Sequence, residues 1–439
     1  MSDPVDQLIH PRWLLPISPA DTLLEHHSVA IKAGRIVDIL PQADARLRYR
    51  ATENFDLPDH VLIPGLVNLH AHAAMNLIRG IADDLPLMRW LHEAIWPAEA
   101  KHASPSFVHD GTLLAAREML RGGITTCNDM YFYPDAAAAA FDEAGMRAVV
   151  GMIMLDFPTS YARDADDCLR KGLAVRDKWQ AHPLLGFSIA PHAPYTLSDA
   201  SLERAASLAA ELDAPIHIHV HETADEIADS LAAHGIRPLH RLERLGLLGP
   251  GLIGVHAVHL DDTDLARLAH HGCSVAHCPT SNMKLGSGIA PLTQMVGHNI
   301  NVGLGTDGAA SNNRLDLFQE MRHAALLAKV VGQDASAIPA HLALHMATLG
   351  GARALGMDDE IGSITVGKRA DLCAVSLSDP LMTPCFDPVS HLVYVCGREQ
   401  VSHVWIDGAL RVRNGIVLLQ ISDKELLGIT TLWHTKLVN

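Results

Sequence analysis

The stretch Pro64-Gly-Leu-Val-Asn-Leu-His-Ala-His72 decides the fold of this chain. Its apolar run is typical of a buried strand, and the H-x-H at its end places both imidazoles on one side of that strand, where they can share a metal. Three later strand-like stretches also carry histidine or aspartate near their ends: IHIHVHE (216–222), GVHAVH (254–259) and GLGTDG (303–308). Because the C-terminal ends of barrel strands form one mouth, these stretches predict a single divalent-metal site at the mouth of a (β/α)8 barrel.

The central part of the chain alternates between strand-like and helix-like segments, which is the signature of a parallel α/β architecture. Eight strands fit a closed barrel better than an open doubly wound sheet. No GxGxxG follows the first strand, so a dinucleotide-binding fold is disfavoured. Helices rich in alanine and leucine are predicted over residues 107–121, 135–145, 199–212 and 262–271. The eight strands are predicted over residues 61–70, 123–130, 147–155, 184–192, 215–221, 252–259, 273–278 and 300–307.

Both ends of the chain carry short strands and turns. Asp407-Gly408, between the apolar alternations of residues 401–405 and 409–412, is a hairpin signal. We therefore predict that residues 1–60 and 361–421 form one composite β-sandwich beside a barrel of residues 61–360. Residues 422–439 are predicted to form a terminal helix and tail.

Alternation within the strands predicts which side chains point into the barrel, because successive side chains of a strand face opposite sides. The polar candidates fall on the inner face in each case, near the C-terminal end where barrel active sites are built. The side chains expected inside are Asn68, His70, His72, Gly186, Ser188, Ala190, His192, His256, Asn301, Gly303, Gly305 and Asp307. Those expected outside are Val67, Leu69, Leu185, Phe187, Ile189, Ile253, Val255, Ala257, Ile300, Val302 and Leu304.

Composition narrows the class of protein. The formal charge of −16 argues against nucleic acid as a partner and gives no attraction for membrane surfaces. We see neither a signal peptide nor an apolar run long enough to span a membrane. The seven cysteines include no CxxC pair, which makes a disulfide framework improbable and favours a reducing cytoplasm.

Spacing alone does not choose the metal ligand in strand five, because His217, His219 and His221 share one parity. Glu222 follows His219 by three residues at the exit of the strand. A ligand with a nearby acid suits metal-assisted hydrolysis, which favours His219 as the ligand. His217 is then interpreted as a buried, hydrogen-bonded core residue, and His221 as a residue that lines the pocket.

Asp307 lies beside strand one once the barrel closes, so it can complete a His3Asp set; the alternative is a helix N-cap in TDGAASNN. His256 is open to two interpretations, a fifth ligand or a group that orients the attacking hydroxide, and we favour the second.

An imidazole-rich site with one carboxylate suits one Zn²⁺ per subunit, although Fe²⁺, Mn²⁺ or Ni²⁺ could bind the same set. The zinc-site signature of H-x-E with PCxxC is not matched.

Over nearly its whole length the chain resembles the amidohydrolase superfamily, and within it the 5′-methylthioadenosine/S-adenosylhomocysteine deaminases. H-x-H and a lone aspartate are found throughout that superfamily, whereas LGTDGAASNN and the stretch after His72 are much more specific. The segments that carry the resemblance are PGLVNLHAHAAMNLIRGIADDLPL, WPAE, ITTCNDMYF, PHAPY, HVHET, HCPTSNMKLGSGIAP and LGTDGAASNN, ahead of GKRADL at residues 367–372.

The resemblance implies a role for each matching residue. The metal ligands would be His70, His72, His219 and Asp307. Glu222 would be the proton-transferring acid and His256 the hydroxide-orienting group, with Asp307 accepting the proton of the attacking water. Glu99 would bind the ribose 2′- and 3′-hydroxyls and His192 would contact the nucleoside; without the resemblance, Glu99 has the pattern of an ordinary exposed helix residue.

The expected reaction is hydrolytic deamination at C6 of a 6-aminopurine nucleoside, which releases ammonia and an inosine derivative. Strand four lacks the lysine that bridges two metals in many hydrolytic relatives, so a mononuclear site is expected. Some relatives place an arginine in the region of strand three to bind the carboxylate of S-adenosylhomocysteine. Residues 151–155 contain none, although Arg163 follows, which favours uncharged 5′-thioethers or adenosine.

Two other functions stay open at this point. One is deamination or dechlorination of a different heteroaromatic ring, such as guanine or a triazine. The other is a catalytically silent relative that serves in binding or assembly, although such proteins typically lose ligands or the acid, and this sequence keeps both. The resemblance also suggests a homo-oligomer.

Overall fold

The computed structural model describes residues 2–438. The chain begins with five strands that belong to one sheet. The first strand pairs antiparallel with the third and parallel with the fifth, so the N-terminal segment folds back beside itself. These strands are β1 (Asp3–Leu14), β2 (Leu24–Glu25), β3 (His27–Lys32), β4 (Arg35–Pro41) and β5 (Tyr49–Pro64).

The next eight strands form a parallel barrel. Each strand pairs with the next along the chain. The last strand closes on the first, since the backbone N–H of Asp307 donates to the carbonyl of His70 at 3.0 Å. The strands are β6 (Leu66–Ala71), β7 (Ile124–Tyr131), β8 (Arg147–Met154), β9 (Leu185–Pro191), β10 (Ile216–Val220), β11 (Leu252–His256), β12 (Ser274–His277) and β13 (Asn301–Leu304).

The C-terminal segment returns to the first sheet. It adds β14 (Leu372–Ser376), β15 (Val401–Ile406), β16 (Ala409–Arg413) and β17 (Ile416–Val417). Antiparallel pairing of β14 with β5 joins the two chain ends, and their side chains enclose a core of their own that includes Phe55 and Trp405. The predicted barrel with a smaller β-domain built from both chain ends is confirmed, as is the hairpin at Asp407-Gly408.

The helices that follow the strands cover the barrel. Ser104 begins one of them, accepting the N–H of Phe107 through its hydroxyl, and the four helices predicted from the sequence are all present. The helices are α1 (Gln42–Arg48), α2 (Leu87–Trp90), α3 (Trp96–His102), α4 (Pro105–Arg121), α5 (Pro134–Ala144), α6 (Ala165–Trp179), α7 (Asp199–Leu212), α8 (Ala224–His234), α9 (Pro238–Arg244), α10 (Asp262–His271), α11 (Pro279–Lys284), α12 (Leu292–Gly297), α13 (Ala309–Asn312), α14 (Leu317–Gly332), α15 (Ala340–His345), α16 (Gly351–Ala354), α17 (Pro388–Tyr394) and α18 (Asp423–Val438). Among these described helices, none combines the length and apolar character needed to cross a membrane.

The strand predicted over residues 61–70 is wrong in extent, because it is two strands that meet at Gly65. Residues 61–64 pair with β14 in the first sheet, whereas Leu66 already pairs with β7 in the barrel. A side chain at Gly65 would collide with Thr125, so the chain can cross between the sheets there only with glycine. The predicted division of the chain at residues 60 and 361 stays a prediction.

In strands one and six, several side chains point in the direction opposite to the one predicted from alternation. Val67, Leu69, Ile253 and Val255 were expected outside, but they share one core cluster with Val149. Val149 lies on β8, which neighbours neither β6 nor β11, so this cluster fills the barrel interior. In the lower halves of those two strands, the side chains that were predicted to point outward therefore point into the barrel.

Two local irregularities return the histidines to the interior. In β6 the pairing with β7 shifts register between Asn68 and Ala71, which turns His70 inward while Asn68 contacts Met119 of α4. At the end of β11, His256 and the following Ala257 adopt positive φ angles of 71° and 48°. This kink directs the side chain of His256 to the mouth of the barrel. The predicted positions of both histidines are correct, but the predicted reason is not.

Candidate metal centre and active site

Four donor atoms from three strand ends converge at the mouth of the barrel. Nε2 of His70 lies 3.2 Å from Oδ1 of Asp307 and 3.2 Å from Nε2 of His219. Nε2 of His72 lies 3.4 Å from the same Asp307 oxygen. A tetrahedral zinc ion with ligand bonds near 2.0–2.1 Å separates its ligand atoms by about 3.3–3.4 Å, so the spacing of these side chains fits that ion.

Hydrogen bonds to carbonyl groups set the tautomers of His72 and His219. Nδ1–H of His72 donates to the carbonyl of Met130 at 2.5 Å, and Nδ1–H of His219 donates to the carbonyl of His192 at 2.7 Å. In both rings the lone pair of Nε2 is then free to face the common centre, which is the arrangement that metal-binding histidines need. Nδ1 of His70 lies 2.9 Å from Nε2 of His217, which orients the third ring.

The structure separates the three histidines of strand five. His219 alone contributes to the donor set. His217 lies behind His70, as a buried residue that fixes the orientation of that ring. His221 does not line the cavity; its Nε2 accepts the backbone N–H of Leu239 at 3.0 Å, so the expected pocket role of His221 is wrong.

Asp307 is held by contacts on both carboxylate oxygens. Oδ2 accepts the hydroxyls of Ser281 at 2.6 Å and Ser311 at 2.8 Å. Oδ1, which faces the histidines, accepts the backbone N–H of Gly308 at 2.7 Å. Asp307 has a φ of 61°, and it does not cap the short helix α13, whose N-cap Gly308 has no side chain to do so.

Glu222 and His256 lie side by side next to the donor set. Nε2 of His256 is 3.7 Å from Oε2 of Glu222. On the other side of the same imidazole, Nδ1–H of His256 donates to Oδ1 of Asn282 at 2.8 Å. Burial raises the pKa of Glu222, which keeps a proton available on its carboxyl group closer to neutral pH. A buried acid with an oriented imidazole beside it is equipped for proton transfer.

A cavity of about 340 Å³ opens above these groups. His192, Glu222, His256 and Asp307 lie on its floor, and aromatic and aliphatic side chains form most of its walls. Among the residues that the structure describes, no lysine or arginine lines this cavity. Arg163 is 83% exposed and pairs with Asp167 instead.

Of the carboxylates that line the cavity in the described part of the chain, Glu99 is the one away from the metal centre. It is 9% exposed, not an ordinary exposed helix residue, and its Oε1 accepts the hydroxyl of Tyr131 at 2.7 Å. Burial raises the pKa of Glu99 to about 7. It lies in α3, just after a π-helical turn over Leu91–Ile95, an irregularity that is frequent at functional sites.

Three buried carboxyl groups accept hydrogen bonds from the backbone of loops at the barrel mouth, and none of the three was identified from the sequence. Asp129 accepts the N–H of Ala73 at 2.7 Å, directly after His72. Glu226 accepts two backbone N–H groups after strand five. Glu320 accepts the N–H of Thr280 at 3.0 Å. Glutamate at the third position of a helix, as in TADE, is a recognisable capping signal, but its partners are not readable from spacing.

Comparison with known proteins gives a consistent result. The sequence model of the amidohydrolase family matches residues 61–411. A protein of Saccharophagus degradans named 5-methylthioadenosine/S-adenosylhomocysteine deaminase is 46% identical over 434 residues, which cover 99% of this chain and 97% of that protein.

Solved structures extend the comparison. A zinc-bound adenosine deaminase from Xanthomonas campestris superposes with a TM-score of 0.98 at 47% identity, covering 100% of this chain and 99% of the other. The zinc-bound atrazine chlorohydrolase from Arthrobacter aurescens superposes with a TM-score of 0.89 at 23% identity over 97% of this chain and 99% of its own, which shows a shared fold.

Proposed function

Because the chain belongs to the amidohydrolase family, as its sequence predicts, we propose that it is a zinc-dependent deaminase of 6-aminopurine nucleosides. The observation that carries the proposal is the convergence of His70, His72, His219 and Asp307 beside Glu222 and His256, on the lining of a cavity of about 340 Å³. The relatives with 46% and 47% identity, named for deamination of such nucleosides, support the reaction class.

The zinc ion, when bound by these four side chains, supplies a Lewis acid that makes water a usable nucleophile near neutral pH. Asp307 accepts a proton from the attacking water, and Nε2 of His256 aims the water at C6. The carboxyl group of Glu222 donates a proton to N1 of the purine, so that C6 becomes electrophilic. The proton held by Asp307 passes to the amino group, which leaves as ammonia, while N1 keeps the proton from Glu222. The C6 hydroxyl returns its own proton to Glu222, so the ring keeps the oxygen as a carbonyl and both carboxyl groups regain their starting states.

The cavity favours nucleosides with an uncharged 5′ group. S-adenosylhomocysteine carries a carboxylate at that end, and burying a carboxylate without a cationic partner is costly. The apolar wall includes Met75, Trp90 and Phe157, which suit a methylthio group or a plain hydroxymethyl group. We therefore propose 5′-methylthioadenosine and adenosine as the preferred substrates.

A substrate panel tests this proposal. Zinc-loaded protein is given 5′-methylthioadenosine, adenosine, S-adenosylhomocysteine, guanine and a chlorotriazine, and release of ammonia or chloride is followed. We expect kcat/KM for the first two to exceed that for S-adenosylhomocysteine by at least about tenfold. Turnover of guanine or the triazine without turnover of any nucleoside would show that the site serves a different ring. No turnover of any compound would favour a silent relative.

Glu99 is proposed to bind the ribose 2′- and 3′-hydroxyls as a carboxylate. Glu99→Gln is expected to raise KM for nucleosides by about 10- to 100-fold, because hydrogen bonds to a charged acceptor are replaced by weaker ones. In the unsubstituted protein KM should rise as the pH falls through about 7, since protonation removes the accepting charge, and this dependence should vanish in Glu99→Gln. Initial rates between pH 5.5 and 8.5 measure both effects.

The control for Glu99 is Glu93→Gln. Glu93 lies six residues earlier, is exposed, and pairs with Arg89, so its loss should leave KM unchanged. An unchanged KM in Glu99→Gln at every pH would contradict the ribose role.

We also propose that the protein acts in the cytoplasm as a homo-oligomer. All seven cysteines are free, which is compatible with a reducing compartment.

A further inference from the structure

Glu226 lies at the third position of α8 and is 7% exposed. Both of its carboxylate oxygens accept hydrogen bonds from the backbone. Oε1 accepts the N–H of His221 at 3.0 Å, and Oε2 accepts the N–H of Glu222 at 2.8 Å. One side chain therefore holds two successive peptide groups at the exit of β10.

The connection that Glu226 holds is short and conformationally unusual. Three residues join the end of β10 at Val220 to the start of α8 at Ala224. His221 has a φ of 56°, in the left-handed region that a residue with a side chain adopts only when its surroundings stabilise it. Thr223 caps the helix by accepting the N–H of Glu226 at 3.2 Å, so backbone and side chain of Glu226 are both engaged.

Glu222 is the middle residue of this connection. Its carboxyl group has to reach the purine from the floor of the cavity while keeping its distance of 3.7 Å from His256. The side chain of Glu226 does not line the cavity and has no access to a substrate there. Glu226 can therefore act on catalysis only from behind the cavity wall, through the backbone of Glu222 that it holds or through its charge on His256.

We propose that Glu226 is a positioning residue for the proton-transferring carboxyl group of Glu222, an inference that rests on the proposed function. Its two acceptor oxygens fix the peptide planes on either side of the His221 Cα. The second of these planes ends at the Glu222 Cα, so Glu226 fixes the direction from which the chain enters Glu222 and its side chain leaves the loop. Misplacement of a reacting group by about 1 Å costs on the order of 100-fold in rate.

Glu226→Gln tests the proposal most directly. The amide keeps one acceptor oxygen, but its NH2 group faces a backbone N–H, so one of the two contacts is lost. We expect kcat to fall by about 10- to 100-fold, with KM and the number of bound zinc ions unchanged. Glu226→Asp, one methylene shorter, cannot reach both N–H groups and should not restore kcat.

A double-mutant cycle separates positioning from a general structural role. If Glu226 acts only through Glu222, then Glu226→Gln should change kcat by less than about threefold in a Glu222→Gln background. An equal fall of kcat in both backgrounds would overturn the proposal, as would an unchanged kcat in Glu226→Gln alone.

Asp371→Asn is the matched control. Asp371 is also a buried carboxylate that accepts from a backbone N–H, that of Asp407, and it pairs with Arg147 at the opposite end of the barrel. Its substitution should lower the melting temperature and leave kcat of the folded protein unchanged. A fall of kcat in this control as large as in Glu226→Gln would show that loss of any buried carboxylate suffices.

Amide hydrogen exchange gives a readout that does not depend on turnover. The segment of residues 219–224 should exchange faster in Glu226→Ala than in the unsubstituted protein, with exchange in β8 unchanged. Unaltered exchange of that segment would overturn the proposed contact. If the unsubstituted protein deaminates no nucleoside, the proposed function fails by itself, and the exchange experiment still decides whether Glu226 holds the loop.

Discussion

Glu222→Gln is expected to lower kcat by roughly 10²- to 10⁴-fold, the usual contribution of a positioned general acid, while the zinc content stays at one ion per subunit. The physical reason is that glutamine fills the same space beside His256 but has no proton to deliver to N1. The donor set does not include Glu222, so its loss leaves the four metal-facing atoms in place. Burial raises the pKa of the native carboxyl group, which helps it to hold that proton near neutral pH.

Steady-state kinetics with 5′-methylthioadenosine and elemental analysis of the same preparation measure the two effects separately. Asp225→Asn is the control, because Asp225 is the exposed acid three residues after Glu222, at the second position of α8, and does not line the cavity. It should retain both activity and zinc. Equal loss of zinc and of activity in Glu222→Gln would mean that Glu222 supports the metal and not the proton transfer.

Regular strands were predictable because burial imposes a period of two on their sequence. In β10, Ile216, Ile218 and Val220 pack outward, so the histidines between them share the interior. In β13, Val302 and Leu304 alternate with glycines in the same way, which placed Asp307 correctly. Wherever pairing keeps a constant register, the pattern of apolar residues carries the direction of every side chain.

The irregular strands were not predictable in this way. A register shift in β6 depends on how β7 pairs with it, which is a property of two strands and not of one segment. The kink at His256 requires positive φ at two residues with side chains, where a sequence offers no glycine as a signal. Local strain of this kind is maintained by surrounding contacts and is common at functional sites.

The choice among the three histidines of strand five needed distances. His217 and His219 have the same parity, the same residue type and nearly the same burial, so only the contacts tell them apart. His217 meets His70 from behind, whereas His219 meets it at the shared centre. The spacing to Glu222 and the resemblance to a family selected His219 before the structure did.

His219→Ala is expected to abolish stoichiometric zinc binding and, with it, ammonia release, because it removes one of the four donor atoms that surround the metal position. His217→Asn should be milder. It removes the partner that orients His70 and leaves the donor set complete, so zinc affinity should fall by about 10- to 100-fold. His221→Gln should leave zinc affinity unchanged, because the side chain of His221 serves the backbone of Leu239.

Competition with a chelator of known affinity ranks the three variants, and ammonia release after zinc is added back shows which of them recover. Removing zinc from the unsubstituted protein should abolish ammonia release, and zinc alone should restore it. Recovery is expected for His217→Asn and His221→Gln at saturating zinc, but not for His219→Ala. A larger loss of zinc from His217→Asn than from His219→Ala would exchange the roles of these two residues.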